Sequence, residues 1–344
     1  MQVNHTDVII IGGGISGIGA ACQIAQKMPG LTYVILESRD NIGGTWDFYK
    51  FPGVRTDSDM YTMAYSFNPW RDNKSTASGQ EVQEYLIETA TKYDVLSHVR
   101  LNEKVATAKW NSGKNQWAVV SNHSSGEQHC YNSTYIFMCS GYSDFNKLHD
   151  PEFKDTNTFQ GRIVNPQKWP DDLDVRNKEI LVIGSGATAV TVVPALAESA
   201  AHVTMLQRSP TYIYETANLD PIASFCSRYL PSRWSYHIMR AKFIFEQQIV
   251  YIAAKAFPST LKKWLTGMIQ HRLGEGEQRF AGAVDRPHKA LRDDDPVRQP
   301  KAGAAPLGDG VRRARPAIST VLVEPVIAGC VGFWLEPVAV DLRV

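Results

Sequence analysis

A glycine-rich turn between two short apolar segments constrains this chain more than any other feature. The first segment is residues 7–11, an Asp followed by four consecutive apolar residues. The turn is residues 12–17, and the second segment, residues 33–36, is followed by Glu37. An uninterrupted apolar run is typical of a strand buried on both faces of a parallel sheet. The glycines permit a tight turn and let backbone N–H groups at a helix start approach a pyrophosphate.

The spacing within this turn matches a dinucleotide site. Gly12, Gly14 and Gly17 form the pattern GxGxxG around Ser16, and Glu37 follows Gly17 by twenty residues. A carboxylate at that distance, at the end of the second strand, can bind ribose hydroxyls. Because the strand, the turn, the helix and the acid all occur in order, we predict a dinucleotide site rather than a structural glycine turn.

The same pattern occurs a second time, after a proline-containing linker at residues 166–174. A strand is predicted at residues 179–183, a GxGxxA turn at 184–189, a helix at 190–198 and another strand at 202–206. Two such units in one chain are more specific than one, and they predict two nucleotides bound side by side, one donating hydride to the other.

The second unit differs from the first at two positions. Ala189 replaces the third glycine, where only a small side chain is needed for helix–strand packing. Gln207 and Arg208 follow the second strand in place of an acid. Arg208 would pair with a ribose 2′-phosphate, so this site should prefer NADPH over NADH. The alternative is a solvated cation at the end of a strand.

Composition excludes several other classes. The 344 residues allow about two domains, and the net charge of +1 gives no general attraction to nucleic acid. The five cysteines form no CxxC pair, which argues against a zinc site, a disulfide scaffold or a dithiol redox centre. The N-terminus shows no secretory signal, so we expect a cytoplasmic protein.

Further elements follow from periodicity. We predict an amphipathic helix at residues 79–94, two strands at 100–108 and 116–121, and an apolar strand at 135–139 that returns to the first sheet. Residues 220–273 are predicted to be helical and are rich in aromatic side chains. A helical cap packing its own core is the favoured interpretation, and a substrate-facing wall or a peripheral contact with a membrane or partner is the alternative.

The composition changes near Gly276. Residues 276–344 are enriched in Ala, Gly, Pro, Val and Arg and show neither helical nor strand periodicity over most of their length. This composition resembles a GC-rich gene read in a shifted frame, so we expect an irregular tail that is a frameshift product and largely disordered. A genuine flexible tail is the alternative.

Two further motifs complete a recognisable order. A second glycine turn, residues 43–46 (Gly-Gly-Thr-Trp), is followed by residues 52–57 (Pro-Gly-Val-Arg-Thr-Asp). Together with the two nucleotide turns, this order resembles the class B flavoprotein monooxygenases. Within them it is most similar to the Baeyer–Villiger branch and its ethionamide-activating members in mycobacteria. The resemblance covers residues 5–275.

The resemblance implies FAD in the first unit and NADPH in the second. It implies that the residues holding FAD are Gly12, Gly14, Ser16, Gly17, Glu37, Gly44, Thr45, Trp46, Asp47, Asp57 and Val105. It implies that the residues facing NADPH are Arg55, Thr56, Asp57, Gly184, Ser185, Gly186, Ala187, Thr188, Ala189, Val190, Gln207 and Arg208. The implied reaction inserts one oxygen atom from O2 into a ketone, or into a thioether or thioamide sulfur, through a C4a-peroxyflavin.

Asp57 is the candidate catalytic residue, because an acid beside the flavin could set the local charge and hydrogen bonding. The alternative is an Asp that caps backbone in a turn. Two other functions stay open: an NADPH-dependent flavin reductase or oxidase, and a non-catalytic nucleotide-binding remnant.

Two departures from the family pattern affect the expected activity. Asn165 stands at the His position of the signature that runs from Phe159 to Pro170, and Asn cannot titrate. The family also continues beyond this chain's end with a second FAD-domain portion and an Arg near the Asp57 position. We therefore expect a truncated enzyme whose activity is in doubt, because Asp57 would lack that partner.

The predicted fold class is α/β with two Rossmann-type dinucleotide-binding units, a helical insertion and an irregular tail. Residues 1–150 are assigned to the N-terminal part of an FAD-binding domain. Residues 151–275 are assigned to an NADPH-binding domain that includes the helical region 220–273, and residues 276–344 to the atypical tail.

Overall fold

The computed structural model describes residues 3–147, 153, 155–207, 218–273, 320–323 and 338–342. By their contacts these residues form two compact units. The first unit holds the described residues up to 147 together with 166–169 and 218–253. The second holds the remaining described residues, including 170–207 and 254–273.

Eleven strands and eight α-helices are present in the described ranges. The strands are β1 (Val3–Ile11), β2 (Tyr33–Leu36), β3 (Val99–Arg100), β4 (Glu103–Asn111), β5 (Gln116–His123), β6 (Gln128–Met138), β7 (Arg162–Val164), β8 (Glu179–Ile183), β9 (His202–Gln207), β10 (Thr320–Val323) and β11 (Val338–Leu342). The helices are α1 (Ile15–Lys27), α2 (Thr45–Phe48), α3 (Met60–Met63), α4 (Gly79–Lys92), α5 (Ala187–Ala197), α6 (Pro221–Tyr229), α7 (Ser232–Ala256) and α8 (Pro258–Leu273).

The first unit contains a six-stranded sheet in the order β3-β2-β1-β6-β5-β4. Strands β3, β2, β1 and β6 run parallel, whereas β4, β5 and β6 form an antiparallel meander. Ile9 of β1 lies between Val34 of β2 and Ile136 of β6. The predicted return of the apolar strand near residue 135 to the first sheet is therefore confirmed.

The core of the first unit explains why β1 is apolar throughout. Ile9 and Ile10, on opposite faces of β1, are both fully buried, as a strand in the middle of a parallel sheet requires. On one face, Ile10 joins a cluster with Ile18 of α1 and Ile35 of β2. Leu86 of α4 is the centre of another cluster, so the predicted amphipathic helix is confirmed.

The second unit contains a five-stranded sheet in the order β11-β9-β8-β10-β7. Strands β8 and β9 are parallel, with Ile180 opposite Val203, and α5 connects them. This strand–turn–helix–strand unit is the second Rossmann-type unit that the sequence predicts. The predicted α/β class is therefore confirmed, with parallel strands at the centre of both sheets.

Two of the strands come from the predicted tail. Strand β10 pairs in parallel with β7 and β8, and β11 pairs antiparallel with β9. The sequence did not predict these strands. The rest of the tail, and with it the expectation of disorder, lies outside the described residues, and the frameshift hypothesis stays a prediction.

The helical region is helical as predicted, but its contacts divide it. Helix α6 and α7 up to residue 253 pack with the first unit, whereas α8 belongs to the second. The sequence had assigned all of residues 220–273 to the second unit. The cofactor assigned to each unit stays a prediction.

Candidate functional site

The first glycine turn is held so tightly that it requires glycine. Gly12 has a φ of +108° and its N–H donates to the Leu36 carbonyl over 2.9 Å. A Cβ atom at Gly12 would lie 2.4 Å from the Cys139 carbonyl oxygen, and one at Gly17 would lie 1.9 Å from the Gly12 oxygen. The chain therefore passes between β1, β2 and β6 with no room for a side chain.

Helix α1 begins from this turn with a glycine cap. Gly14 occupies the N-cap position and contributes no side-chain hydrogen bond, while the Ile18 N–H donates to its carbonyl over 3.0 Å. Ser16 is exposed in the first helical turn. The first-turn N–H groups of a helix have no intrahelical acceptor, so this end presents donors and a positive dipole to an anion.

Glu37 reaches back to the turn, and its predicted binding of ribose hydroxyls stays a prediction. The residue is 5% exposed, and its Oε2 accepts a hydrogen bond from the Gly13 N–H over 2.6 Å. Its Oε1 accepts from the Arg39 N–H over 3.0 Å. Oε1 also accepts from the Ser38 hydroxyl over 3.3 Å, so the second lone pair of Oε2 is the acceptor that Glu37 retains for a ribose hydroxyl.

The second glycine turn lies directly against the first. The Gly43 N–H donates to the Gly13 carbonyl over 3.0 Å. Gly43 and Gly44 have φ values of +125° and +56°, and a Cβ atom at Gly44 would lie 3.0 Å from the Gly14 Cα. The two turns meet through backbone atoms alone, which is the surface that a nucleotide approaching closely needs.

Beyond the second turn, three predicted site residues have different surroundings. Thr45 is exposed, Trp46 is half-buried against the cluster around Leu86, and Asp47 is buried. Asp47 forms an ion pair with Arg39, and its Oδ1 accepts from the Gln83 Nε2 over 2.8 Å. Asp47 therefore fixes the second turn to β2 and to α4.

Arg39 is a further candidate residue of the site that the sequence motifs did not identify. Its guanidinium lies 5.1 Å from the Phe48 ring centre and 5.8 Å from that of Phe145. Its Nη1 is buried and has no hydrogen-bond partner among the described residues. The available signal was an Arg two residues after Glu37, at the end of the strand that carries the ribose acid.

The stretch at residues 52–57 contains one side chain that is buried in the loop and two, on either side of it, that are exposed. Thr56 is buried: its N–H donates to the Ala77 carbonyl over 2.8 Å, and its Oγ1 accepts from the Ala77 N–H over 3.1 Å. Arg55 and Asp57 are exposed on either side of it. Thr56 therefore secures the loop through its backbone and hydroxyl, and its neighbours are free to face a ligand.

The capping role considered for Asp57 belongs to Asp59. Asp59 is the N-cap of α3, and its Oδ1 accepts from the Thr62 N–H over 2.7 Å. Although Asp57 is exposed as a residue, the protein atoms around its carboxyl remove part of its hydration and raise its pKa above the ordinary value, while Arg55 opposes that shift. A raised pKa is typical of carboxyls with a chemical role, and the catalytic assignment of Asp57 stays a prediction.

A cleft of 640 Å³ adjoins these loops. It lies between α4 and the segments that follow the second glycine turn, with Trp46, Phe51, Val54 and Gln83 among its lining residues. The Gly79 N–H donates to the Val54 carbonyl over 2.8 Å, which holds the start of α4 at the edge of this cleft.

The second nucleotide turn repeats the backbone geometry of the first. Gly184 has a φ of +137°, and its N–H donates to the Leu206 carbonyl over 2.8 Å. The N-cap Gly186 has φ −82° and ψ −169°, against −80° and −170° at Gly14. The two turns thus have matching conformations and matching hydrogen bonds to the end of the second strand.

The other predicted residues of the second turn follow from that geometry. Ala187 is exposed, Thr188 and Ala189 are buried at the start of α5, and Ser185 and Val190 are half-buried. Gln207 ends β9, and Arg208 lies outside the described residues. Asn165 is half-buried immediately after β7.

In the first unit, Val105 is half-buried in β4 and packs against the cluster that contains Leu36. A register shift separates Val105 from Thr107 in the pairing of β4 with β5.

The described ranges contain neither a candidate metal cluster nor a candidate membrane span. No group of three or more His, Cys, Asp or Glu residues there could hold a metal ion. None of the described helices has the length and hydropathy needed to cross a bilayer.

Comparison with known proteins agrees with this geometry. A family model described as flavin-binding monooxygenase-like matches residues 5–266. The putative FAD-containing monooxygenase MymA of Mycobacterium tuberculosis is 44% identical over 275 residues, which are 78% of this chain and 56% of MymA. The FAD-containing monooxygenase EthA of the same organism is 44% identical over 277 residues, covering 80% of this chain and 56% of EthA.

Among solved structures, a cyclohexanone monooxygenase variant from Rhodococcus sp. Phi1 bound to NADP+ matches with a TM-score of 0.55 and 25% identity. The match covers 72% of this chain and 45% of that one. The chain spans about half the length of the curated relatives it matches. Because the family model covers most of the sequence, this chain belongs to the flavin-binding monooxygenase-like family.

Proposed function

We propose that this chain forms the FAD- and NADPH-binding part of a flavin monooxygenase that inserts one oxygen atom from O2 into a ketone or an organosulfur compound. The observation that carries the proposal is the pair of glycine turns whose helix caps have matching backbone geometry. In the first unit the second strand is followed by Glu37, and in the second unit Arg208 follows Gln207 at the end of the second strand. The names of the relatives support the pairing, because EthA is FAD-containing and the Rhodococcus structure is bound to NADP+.

The first turn fits FAD. A Cβ atom at Gly12 or Gly17 would collide with backbone, and the glycine cap of α1 leaves main-chain donors facing outward. These donors would bind the pyrophosphate, and the buried Glu37 would bind the ribose. The contact of the second glycine turn with Gly13 extends this backbone surface toward Trp46.

The second turn fits NADPH. Its glycine cap presents the start of α5 to a pyrophosphate in the same way as the first turn. Arg208 would pair with the 2′-phosphate, which an acid at that position would repel. FAD supplies the redox chemistry that activates O2, and NADPH supplies the hydride.

Asp57 would act at the reacting end of the flavin site. Because desolvation raises its pKa, its carboxyl keeps a proton to a higher pH than an ordinary Asp does. Arg55, two residues away, opposes the shift and sets how far it extends. Depending on pH, the Asp57 side chain would thus present a neutral carboxyl or a carboxylate close to the position where oxygen is activated. The cytoplasmic location expected from the sequence remains part of the proposal.

The first experiment asks whether the purified chain is yellow. An absorbance scan that shows bound flavin, followed by NADPH consumption that rises with phenylacetone and yields the oxygenated product, supports the proposal. NADPH consumption that ignores phenylacetone indicates a reductase or oxidase instead. NADP(H) binding without any flavin indicates the nucleotide-binding remnant and overturns the proposal.

The second experiment tests the assignment of the cofactors. The variant Arg208→Ala should weaken NADPH binding by at least about tenfold and leave NADH binding unchanged, since one charge-assisted phosphate contact is lost. Glu37→Gln is the matched variant in the other cradle, and it should weaken FAD binding only. If Arg208→Ala changes the binding of both nicotinamide cofactors equally, Arg208 does not contact the 2′-phosphate.

A further inference from the structure

Helix α7 is apolar on two opposite faces. One face packs against the first unit through Tyr236 and Met239, which are buried, and through Phe243, whose ring stacks on Tyr61 with centres 5.4 Å apart. A surface helix of a globular protein usually has one such stripe and a polar opposite face. The opposite face of α7 departs from that pattern.

This outer face is a continuous apolar stripe. Trp234 is 64% exposed, Ile238 38%, Phe245 66%, Ile249 49% and Ile252 58%. Spacings of three, four and seven residues place these side chains on one line along the helix. At 1.5 Å per residue, the stripe from Trp234 to Ile252 is about 27 Å long. Isolated apolar residues on a surface are ordinary, but a stripe of this length indicates an interaction site.

Polar contacts fix the helix so that this stripe faces outward. The Gln247 Nε2 donates to the Asp59 Oδ2 over 2.9 Å. The Arg240 Nη1 donates to the carbonyls of Tyr61 and Thr62 over 3.0 and 3.2 Å. Because these bonds hold the inner face against the first unit, α7 cannot rotate to bury the stripe in its own core.

The charge around the stripe indicates its partner. Residues 221–256 contain five Lys or Arg and a single acid, Glu246. Arg240 lies on the inner face and Lys242 is paired with Asp220 and Glu246, which leaves Arg228, Arg233 and Lys255 as the exposed basic side chains around the stripe. The neighbouring α6 adds exposed Phe225 and Tyr229, with the Arg228 guanidinium 5.6 Å from the Tyr229 ring centre. An amphipathic helix with basic residues and exposed aromatic side chains is typical of the interface of an anionic bilayer.

We propose that the stripe of α7 docks on an anionic lipid surface, with the helix lying in the plane of the membrane. The aromatic and aliphatic side chains enter the headgroup boundary, and Arg228 and Arg233 contact lipid phosphates. A symmetric contact with a second copy is disfavoured, because a self-complementary interface would bring two basic segments together.

Flotation with vesicles tests this proposal. The purified full chain should float with vesicles of phosphatidylglycerol and phosphatidylcholine, and much less with phosphatidylcholine alone. Added salt should reduce the binding, because the charged part of the attraction is screened. The triple variant Phe245→Gln, Ile249→Gln, Ile252→Gln should lose binding at least about tenfold, since three apolar side chains no longer enter the bilayer.

A matched control separates docking from general hydrophobicity. Ile87→Gln and Leu96→Gln replace comparably exposed apolar residues elsewhere in the first unit and should leave flotation unchanged. Circular dichroism checks that all variants are folded. If the triple variant floats like the parent chain, or if binding ignores lipid charge, the proposal is wrong. If the chain binds neither vesicle type, whether it is dimeric or monomeric, the stripe contacts another protein surface and the proposal is also overturned.

Discussion

Three glycine-to-alanine variants should separate the fold of the first nucleotide turn from its binding role. Gly17 and Gly14 both belong to the GxGxxG motif, but their surroundings differ. A Cβ atom at Gly17 would lie 1.9 Å from a backbone oxygen, whereas one at Gly14 would lie 3.6 Å from its nearest neighbour outside the local chain, an ordinary contact. Gly30 has open space around it and serves as the control.

The expected magnitudes follow from those distances. The oxygen near Gly17 belongs to the backbone and cannot rotate away. The overlap should therefore lower the free energy of unfolding by an amount near the upper end of the ~1–3 kcal/mol seen for overpacking. The higher helix propensity of Ala returns up to about 1 kcal/mol, which leaves a loss of about 2 kcal/mol. For a unit of this size that is a fall of roughly 4–8 °C in melting temperature.

At Gly14 the protein accommodates the methyl group, but a nucleotide does not. Replacing a glycine N-cap by Ala costs about 0.5–1 kcal/mol, so Gly14→Ala should melt within about 3 °C of the parent chain. A side chain at this second glycine of the motif would obstruct the close approach of the pyrophosphate to the backbone, so FAD affinity should fall at least about tenfold. Gly30→Ala should change neither quantity, as a surface substitution within about 0.5 kcal/mol.

The assay combines thermal melting followed by circular dichroism with titration of FAD followed by quenching of flavin fluorescence. If Gly17→Ala melts like Gly30→Ala, the close approach of α1 to the Gly12 carbonyl is wrong. If Gly14→Ala binds FAD as tightly as Gly30→Ala, the turn does not hold the pyrophosphate, and the assignment of the first cradle fails independently of stability.

Three further substitutions test contacts that stabilise the first unit. Arg39→Leu leaves the Asp47 carboxylate buried without its guanidinium partner and should lower the free energy of unfolding in urea by about 2–3 kcal/mol. A double variant that removes both charges should recover part of that loss. Hydrogen bonds from the Ser78 N–H and from Lys74 lower the pKa of Glu81. Its contribution to stability is therefore present above the ordinary Glu pKa and is lost as pH falls through the lowered value. Glu81→Gln should remove that part of the pH dependence of the melting temperature. Glu103→Leu leaves buried donors without an acceptor and should cost at least about 2 kcal/mol in urea unfolding, whereas Glu103→Gln, which keeps one oxygen, should cost less.

The parts of the site that the sequence predicted are those fixed by local chain geometry. Gly12 and Gly184 are recognisable because a positive φ directly after a buried strand requires glycine. Glu37 is recognisable because β1, α1 and β2 have nearly constant lengths in this unit, which fixes its distance from the turn. The same reasoning located the second unit, including the substitution of Ala189 for glycine.

The parts that the sequence did not predict depend on long-range packing. Arg39 became a site residue only when Asp47, Phe48 and Phe145 were brought around its guanidinium. The predicted contact of Thr56 with NADPH stays a prediction, and its hydroxyl accepts from Ala77, twenty-one residues away. The periodicity of the sequence does not predict these contacts, because each contact joins two loops whose relative position is set by the sheet.

The matching turns imply that cofactor choice is made outside the glycine motif. Gly14 and Gly186 agree in backbone conformation to within 2°, although φ is +108° at Gly12 and +137° at Gly184, so the cap geometry by itself would not distinguish FAD from NADPH. What differs is the residue after the second strand, Glu37 or Arg208, and the presence in the first unit of a second glycine turn, bonded to the first through Gly43. Under the proposed function, the second turn would add backbone surface for the flavin half of FAD. A swap of the acid alone should therefore weaken FAD binding without converting the first cradle into an NADPH site, because the extended surface remains.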